Sequence, residues 1–352
     1  MKRALATAND CGNDNEQQKE LLPPALYNER VQPDLVRRLR MRVMGDTAAR
    51  LATPALRAGV AELAEKNLAR WAADAPLAGH GANGEPLTVH VFQNDSLDTA
   101  QSLTRIYGKT FAVLNMANAY SLGGGYRSGS AAQEENLFRR TDLHFCFRRH
   151  QVEAHVRPTP GASKAVTLQY APWMSDLING KHGEVYISTD ETGKKLEKRV
   201  CIRESERFED RDLGYAQLAD DAVFGFYELR SAALDVSSAS WQQAPADEVL
   251  DDLIRRVGAQ LGTLKKWGIR HVVLSAFGCG AFGHDPRIVA GVYAHAIEQE
   301  AEHFDVVAFG IHYAGRGKGN YEAFRKTIPR LSKLQPTEYE TIHAFEASLK
   351  SA

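Results

Sequence analysis

Two adjacent acidic residues, Glu134 and Glu135, are the side chains of this sequence best suited to proton chemistry. They follow Gln133 and precede apolar residues at helical spacing, which predicts that a helix begins there. Neighbours on a helix point about 100° apart, so the two carboxylates cannot flank one atom as a symmetric pair would. We therefore expect different roles: one carboxylate binds sugar hydroxyls, and the other, with its pKa raised by burial, transfers a proton. The alternative is a helix start that favours acidic residues only for the macrodipole.

Two glycine-rich loops accompany these acids. Residues 123–125 are three consecutive glycines between a predicted strand and the predicted helix, and glycine lets a ligand approach backbone N–H groups closely. Residues 275–284 form a second such loop after a strand predicted at His271–Leu274. In open α/β sheets, ligands bind where strand ends lead into helix starts, so two loops predict a diphosphate held from both sides. Tight turns without a ligand are the alternative for either loop alone.

Composition and spacing argue against several functions. Neither loop has the lysine of a nucleotide P-loop or the spacing of a dinucleotide fingerprint, which weakens kinase-like and dinucleotide-redox functions. Lysine plus arginine (43) balance aspartate plus glutamate (44), so no basic field would drive nucleic-acid binding. The four cysteines show no Cys-x-x-Cys spacing, which indicates neither a zinc site nor a disulfide framework.

The hydropathy of the chain predicts a soluble, cytoplasmic protein. No apolar run approaches the roughly 18 residues that span a bilayer, and the N-terminus lacks the apolar core of a signal peptide. Non-classical secretion into a host stays open. Residues 1–20 are polar and are predicted to be disordered.

The remaining chain is expected to form an α/β domain with additions. Helical periodicity at 33–44 and 54–71 predicts an N-terminal helical accessory region over 21–85. Strands and helices then alternate, which predicts an α/β domain over 86–333. A C-terminal tail or helix is expected over 334–352. Within the domain, the middle region has short strand-like runs without a clear topology.

The two loops together resemble a known family. A strand end at Asn115 to Asn118, three glycines, seven intervening residues and Gln133-Glu134-Glu135 are similar to the signature of poly(ADP-ribose) glycohydrolases, in particular the shorter microbial type. These enzymes are catalytic macrodomains. Residues 275–286 are similar to the second phosphate loop of that family. The resemblance implies a macrodomain-like three-layer α/β/α sandwich with a mixed sheet, plus the N-terminal helical extension, and it is weakest in the middle region.

The resemblance also implies a role for each matching residue. Glu135 would be the catalytic acid that protonates the leaving oxygen and then takes a proton from water, and Glu134 would fix the ribose. Asn118 would hold the distal ribose, and Phe282 would pack beside it. The implied ligand-binding residues are Asn118, Gly123, Gly124, Gly125, Gln133, Gly278, Cys279, Gly280, Ala281, Phe282 and Gly283. This scheme requires no metal and no cofactor.

The implied activity is that of an ADP-ribosyl glycohydrolase, which cleaves the O-glycosidic bond of poly(ADP-ribose) or protein-linked ADP-ribose and releases ADP-ribose. Its implied partners are ADP-ribose and ADP-ribosylated proteins, without direct contact to nucleic acid or membrane, and a monomer is expected. Two alternatives stay open: a mono(ADP-ribosyl)-protein hydrolase, for example arginine-linked, and a non-catalytic ADP-ribose-binding macrodomain, which would not need the two glutamates. The charged segment 178–212 is interpreted as a solvated hairpin that could also shape a protein-substrate surface.

Overall fold

The computed structural model describes residues 33–81, 84–157, 165–208, 210, 213–312 and 319–351. Residues 1–20, predicted to be disordered, lie outside these ranges. Within them, every helix is too short or too polar to traverse a lipid bilayer.

Helices and strands alternate along the chain as the sequence predicts. In chain order the elements are α1 (Pro33–Arg50), α2 (Pro54–Asp74), β1 (Thr88–Phe92), α3 (Ser96–Tyr107), β2 (Ala112–Met116), α4 (Gln133–Arg140), β3 (Val152–Arg157), β4 (Ala165–Tyr170), α5 (Pro172–Ile178), β5 (Tyr186–Ile187), β6 (Arg199–Cys201), β7 (Phe224–Ser231), α6 (Ala246–Lys266), β8 (His271–Leu274), α7 (Pro286–Gln299), β9 (Val306–Gly310), α8 (Gly319–Leu331) and α9 (Ile342–Ser351). The two N-terminal helices start where predicted and extend farther, and α9 lies in the segment predicted as a tail or helix.

A central sheet of seven strands carries the described part of the fold. Its order is β1-β9-β8-β2-β7-β5, and β6 also pairs with β7. The strands β1, β9, β8, β2 and β7 run parallel, whereas β5 and β6 pair antiparallel with β7. The predicted mixed sheet is therefore confirmed. Because the five long neighbours are parallel, their carboxyl ends meet at one edge, where ligands of such sheets bind.

Side chains alternate between two apolar layers, as the pleat of a strand requires. On β2, Ala112 and Leu114 belong to the layer that contains α6, α7 and α8, whereas Val113 belongs to the layer that contains α3, α4, α5 and α9. The same alternation occurs on β8 and β9. Helices thus cover both faces of the sheet, which confirms the predicted three-layer α/β/α sandwich.

Capping residues fix the helices that begin at the ligand-binding edge. Asp95 accepts two backbone N–H groups at the start of α3, and this helix ends at Gly108, which has a φ of 64°. At the start of α7, Asp285 is the N-cap and Pro286 occupies the first turn. Both helix starts depend on signals that are local in the sequence, an N-cap aspartate and, for α7, an N-terminal proline.

The N-terminal helices pack against the α/β core. Helix α2 lies over β7 and α3. Helix α1 packs against buried Leu213 and Tyr215, and its Thr47 hydroxyl donates to the carbonyl of Arg139 at 2.6 Å. Arg139 belongs to α4, the helix that carries the two predicted catalytic glutamates. The first described helix therefore contacts the element on which the candidate chemistry depends.

Candidate active site

A cavity of about 870 Å³ opens at the edge where the parallel strands end. Its volume lies within the range of typical small-molecule sites. The loops after β1, β2, β8 and β9 line it together with the start of α4 and one residue of α1. Of the predicted site residues, those that line the cavity are Asn118, Gln133, Glu134, Glu135, Gly278, Cys279, Gly280, Ala281 and Phe282.

Each of the two glutamates is anchored through one carboxylate oxygen. The N–H of Asn118 donates to Glu134 Oε2 at 2.8 Å, and the N–H of Gly125 donates to Glu135 Oε1 at 2.8 Å. The other oxygens, Glu134 Oε1 and Glu135 Oε2, are buried and have no hydrogen-bond partner among the described residues. Because buried polar atoms normally have partners, two such oxygens in a cavity wall indicate where a ligand supplies donors.

Burial changes the acidity of Glu134, whose side chain is 2% exposed. Its burial raises the pKa of the carboxyl well above the usual value. The N–H of Asn118 and the charge of Arg230 lower this pKa, and the nearby carboxylates of Glu135 and Glu228 raise it. A carboxyl with a raised pKa can hold a proton at neutral pH, which acid catalysis requires. The raised pKa thus belongs to Glu134, the neighbour of the residue predicted to transfer the proton.

The glycines at 123–125 support the carboxylates and do not line the cavity. Gly124 has a φ of 53°, and a Cβ there would lie 2.5 Å from Glu135 Oε1 and 3.2 Å from Glu134 Oε2. The N–H of Gly125, predicted to bind a diphosphate, is engaged by Glu135 instead. A Cβ at Gly123 would lie within 2.9 Å of two aromatic rings. Direct contact between this loop and a diphosphate stays a prediction, and close approach to the carboxylates explains why glycine is needed.

Gln133 connects the start of α4 to the end of β2. Its Oε1 accepts the N–H of Met116 at 2.9 Å, and its Nε2 donates to the carbonyl of Leu114 at 2.7 Å. The side-chain amide thus bonds the end of β2, beyond the residues that pair with β8, and fixes the helix start. Its predicted contact with a ligand stays a prediction, although Gln133 lies in the cavity wall.

Asn118 shapes the turn that follows β2. Its Oδ1 accepts the N–H groups of Tyr120 and Ser121 at 2.9 and 2.8 Å, which fixes the side chain. Since its own N–H holds Glu134, this residue links the turn to the acidic pair. The side chain lines the cavity, and its predicted contact with a ribose stays a prediction.

The second glycine loop forms another part of the cavity wall. Gly278 and Gly283 have φ values of 72° and 79°, and a Cβ at Gly278 would lie 2.6 Å from the ring of His284. That ring holds the loop in place, because His284 Nε2 donates to the carbonyl of Leu234 at 2.9 Å. A Cβ at Gly280 would meet no atom within 4 Å, so the backbone there is open to a ligand. Gly283 itself is not part of the cavity lining.

A further part of the cavity wall consists of Arg40, Glu206 and Phe208, which the sequence did not indicate. We call these three residues the α1 wall. Arg40 Nε and Nη2 donate to the two carboxylate oxygens of Glu206 at 2.7 and 3.2 Å. The Phe208 ring centroid lies 5.9 Å from the Arg40 guanidinium carbon. No motif could mark these residues, because a helix and a distant loop meet only in the fold.

Other unpredicted residues that line the cavity include Gln93, Asp95, Ser96, His312, Asn320 and Tyr321. They belong to the loops after β1 and β9 and to the starts of α3 and α8. Their position at the ends of parallel strands was the available signal. In the described part of the chain, no three His, Cys, Asp or Glu side chains cluster in a way that could hold a metal ion.

Replacement of Glu134 by glutamine is expected to stabilise the protein increasingly as pH rises. The pKa of Glu134 in the folded protein lies above the reference value of 4.5. The protonated carboxyl therefore contributes its full stabilisation below pH 4.5, and this stabilisation is lost as the pH rises through the folded pKa. A neutral amide avoids this loss. We expect Glu134→Gln to raise Tm by about 3 °C at pH 8. Thermal unfolding from about pH 5 to pH 9 measures the difference, and a difference that does not change with pH would contradict the raised pKa.

A comparison with known protein families supports the importance of the glycine loop at 123–125 and of the acidic pair. Residues 55–168 match the family model of the microbial-type PARG catalytic domain, where PARG denotes poly(ADP-ribose) glycohydrolase. This segment contains the glycines at 123–125 and both glutamates, whereas the second loop lies beyond it. The family resemblance predicted from the sequence is therefore confirmed in this part of the chain. No significant match was found among curated proteins.

Solved structures share the fold over a larger part of the chain. Poly(ADP-ribose) glycohydrolase from Thermomonospora curvata matches with a TM-score of 0.51 and 22% identity, over 82% of this chain and 98% of that chain. The enzyme from Deinococcus radiodurans in complex with ADP-ribose matches with a TM-score of 0.51 and 23% identity, over 78% of this chain and 93% of that chain. At these identities the likeness shows the fold alone. The shared fold covers nearly the whole length of each of the two known enzymes.

Proposed function

We propose that this protein is a poly(ADP-ribose) glycohydrolase, which hydrolyses the O-glycosidic bond of poly(ADP-ribose) or protein-linked ADP-ribose and releases ADP-ribose. The observation that carries the proposal is the pair of buried glutamates, each with one oxygen anchored and one without a partner among the described residues, in a ligand-sized cavity. The family match over residues 55–168 and the fold shared with glycohydrolase structures support the same function.

In this proposal, Glu135 is the general acid and base. Its carboxyl protonates the leaving oxygen while the ribose develops oxocarbenium character, and it then accepts a proton from the attacking water. Glu134 binds a ribose hydroxyl and holds the reacting sugar in position. Gly125 and Asn118 each engage one oxygen of one carboxylate, which leaves the second oxygen of each for the substrate.

The loop at 278–283 binds the diphosphate in the same proposal. Its open backbone at Gly280 offers N–H groups to an anion. Asn118 and Phe282 contact the distal ribose. This arrangement places the anionic part of the ligand on one wall and leaves the acidic pair for the bond that is cut.

Incubation with defined substrates tests the function. The purified protein is expected to release ADP-ribose from poly(ADP-ribose), and product analysis by chromatography would detect it. Release only from mono-modified proteins would favour the mono(ADP-ribosyl)-protein hydrolase. Tight binding of ADP-ribose in calorimetry, without release from any ADP-ribosylated substrate, would favour a binding macrodomain.

We further propose that the leaving group of the polymer contacts the α1 wall. Arg40 Nη1 donates to the carbonyl of Gly129 at 3.5 Å, just before the segment that leads into α4. The α1 wall therefore adjoins the acidic pair. Phe208, which is half-buried there, offers a ring to a base of the departing unit.

Substitution of Phe208 tests this contact. Phe208→Ala is expected to lower kcat/KM for poly(ADP-ribose) about tenfold, because an aromatic platform for a base is lost. Its affinity for ADP-ribose should change little, since that ligand lacks the departing unit. Phe208→Tyr keeps the ring and serves as the matched control. An equal loss of ADP-ribose affinity and polymer turnover would contradict the leaving-group contact.

A further inference from the structure

A buried ion pair on β7 lies behind the acidic pair, and the mechanism above does not use it. Glu228 and Arg230 share one face of the strand, and neither is more than 1% exposed. Arg230 Nε and Nη2 donate to Glu228 Oε1 at 2.8 and 2.5 Å. On the neighbouring strand β2, Asn115 lies opposite Arg230, and its Nδ2 donates to the same oxygen at 2.7 Å. The ion pair is thus joined to the strand that ends beside Asn118, the anchor of Glu134.

Contacts on several sides fix the guanidinium group. Arg230 Nη1 donates to the hydroxyl of Tyr170 at 3.3 Å. The ring centroids of Phe147 and Tyr186 lie 4.4 and 5.1 Å from its guanidinium carbon. Aromatic faces attract a cation, and their bulk leaves it little freedom to change partners. The positive charge is therefore held at one position, close enough to Glu134 to lower the pKa of that carboxyl.

The balance of charges indicates what this ion pair does. Two buried cations act on Glu228, namely Arg230 and Arg199, and Arg199 is offset by the buried carboxyl of Asp142. The groups that remain are the buried carboxyls of Glu134, Glu135 and Glu228 and the cation of Arg230, which is paired with Glu228. If all four were ionised, they would carry two net negative charges in a medium of low dielectric constant. Isolated buried charges are unfavourable by several kcal/mol, so one carboxyl should retain a proton. Glu228 Oε1 accepts two hydrogen bonds from Arg230 and one from Asn115, whereas Glu134 and Glu135 each accept one backbone N–H. Glu228 is therefore the least suited to retain the proton, although its Oε2, like one oxygen of each other glutamate, has no partner among the described residues.

We propose that Arg230 is a positioning residue for the catalytic proton: it keeps Glu228 ionised, so that the proton retained by the buried carboxyls stays on the Glu134–Glu135 pair, where the substrate can use it. The two glutamates are close enough to share it. A Cβ on Gly124 would lie 2.5 Å from Glu135 Oε1 and 3.2 Å from Glu134 Oε2. These oxygens are thus within about 6 Å of each other, a distance at which the charge of one carboxyl affects the other.

The other titratable groups that face Glu134 do not compete for this role. Tyr126 of the glycine loop and Tyr170 of β4 have pKa values that burial raises above the usual phenol value, so both are neutral at working pH. The acidity of Glu134 agrees with the charge balance. Burial raises its pKa well above the usual value, and the N–H of Asn118 and the charge of Arg230 limit the increase.

The kinetic test removes one charge from the ion pair. Glu228→Gln keeps the shape of the side chain while Arg230 remains cationic. The high-pH limb of kcat/KM for poly(ADP-ribose) should therefore move to lower pH by about one unit. Tyr170→Phe removes a hydrogen-bond partner of Arg230 without changing any charge, and it should leave the limb in place. If the high-pH limb of the kcat/KM profile of Glu228→Gln stays in place or moves to higher pH, the proposal is overturned, even if the rate falls.

A second test needs no substrate, which separates this inference from the proposed function on which its kinetic readout rests. Carbon-13 NMR titration of labelled glutamate carboxyls in the ligand-free protein, assigned with Glu134→Gln and Glu228→Gln, should show Glu228 ionised at neutral pH. The retained proton should titrate with the Glu134–Glu135 pair. A protonated Glu228 overturns the proposal. If no ADP-ribosylated substrate is hydrolysed but this titration is observed, the proposed function fails and the proton assignment stands.

Discussion

Replacement of Glu135 by glutamine is expected to slow hydrolysis of poly(ADP-ribose) by about 10²- to 10⁴-fold and to leave the affinity for ADP-ribose almost unchanged. The amide has the size of the carboxyl and can still accept the N–H of Gly125, so the cavity keeps its shape. It cannot donate a proton to the leaving oxygen or take one from water at a useful rate. Single-turnover rates measure the loss, and calorimetry measures the affinity.

Two further variants make this result specific. Glu62→Gln changes an exposed glutamate of α2 that pairs with Lys66, and it should retain wild-type turnover. Glu134→Gln should also reduce hydrolysis, but it should weaken sugar binding as well, since Glu134 is proposed to hold the ribose. Retained turnover in Glu135→Gln, combined with its loss in Glu134→Gln, would reverse the roles of the two glutamates.

Gly124→Ala is expected to reduce kcat by about 10²-fold with only a small loss of stability. The new Cβ would lie 2.5 Å from Glu135 Oε1, so the carboxylate must move, and displacement of a catalytic group by about 1 Å has a cost of this size. The φ of 53° also strains a non-glycine residue by about 1–2 kcal/mol. Turnover assays and thermal unfolding on the same samples separate the two effects.

The chain offers a matched control for the strain alone. Gly193 has a φ of 70° in an exposed turn, and a Cβ there would meet no atom within 4 Å. Gly193→Ala should therefore lose similar stability while keeping its activity. If Gly124→Ala had the turnover of Gly193→Ala, close packing of the glycine loop against Glu135 would not matter for catalysis.

Much of the core could be predicted because its signals are local. The caps of α3 and α7 at Asp95 and Asp285 depend on residues within one helical turn, and short continuous apolar runs mark β2, β8 and β9. The glycine loops and the acidic pair could be identified for the same reason, since each lies within a few residues of a strand end. Periodicity and spacing are sufficient wherever the determining contacts are close in sequence.

Contacts between distant segments could not be predicted in this way. Strands β5 and β6 contain two and three residues, and pairing with β7 defines them, so periodicity left the middle region without a topology. The contact between Arg40 and Glu206 joins residues 166 positions apart. Gln133 shows the same limit on a smaller scale: the family signature implied a ligand contact, whereas its hydrogen bonds to β2 became visible only in the fold.

The position of α1 has a consequence for how this protein can be divided. Arg37 Nε donates to the carbonyl of Ser128, Thr47 to the carbonyl of Arg139, and Arg40 to Glu206, so one helix contacts both the approach to the acidic pair and the α1 wall. The matched family segment begins at residue 55, after this helix. A fragment trimmed to that boundary would keep the two glutamates proposed as catalytic and lose part of the enclosure around them. Helix α1 is therefore a structural part of the catalytic unit and not a detachable appendage.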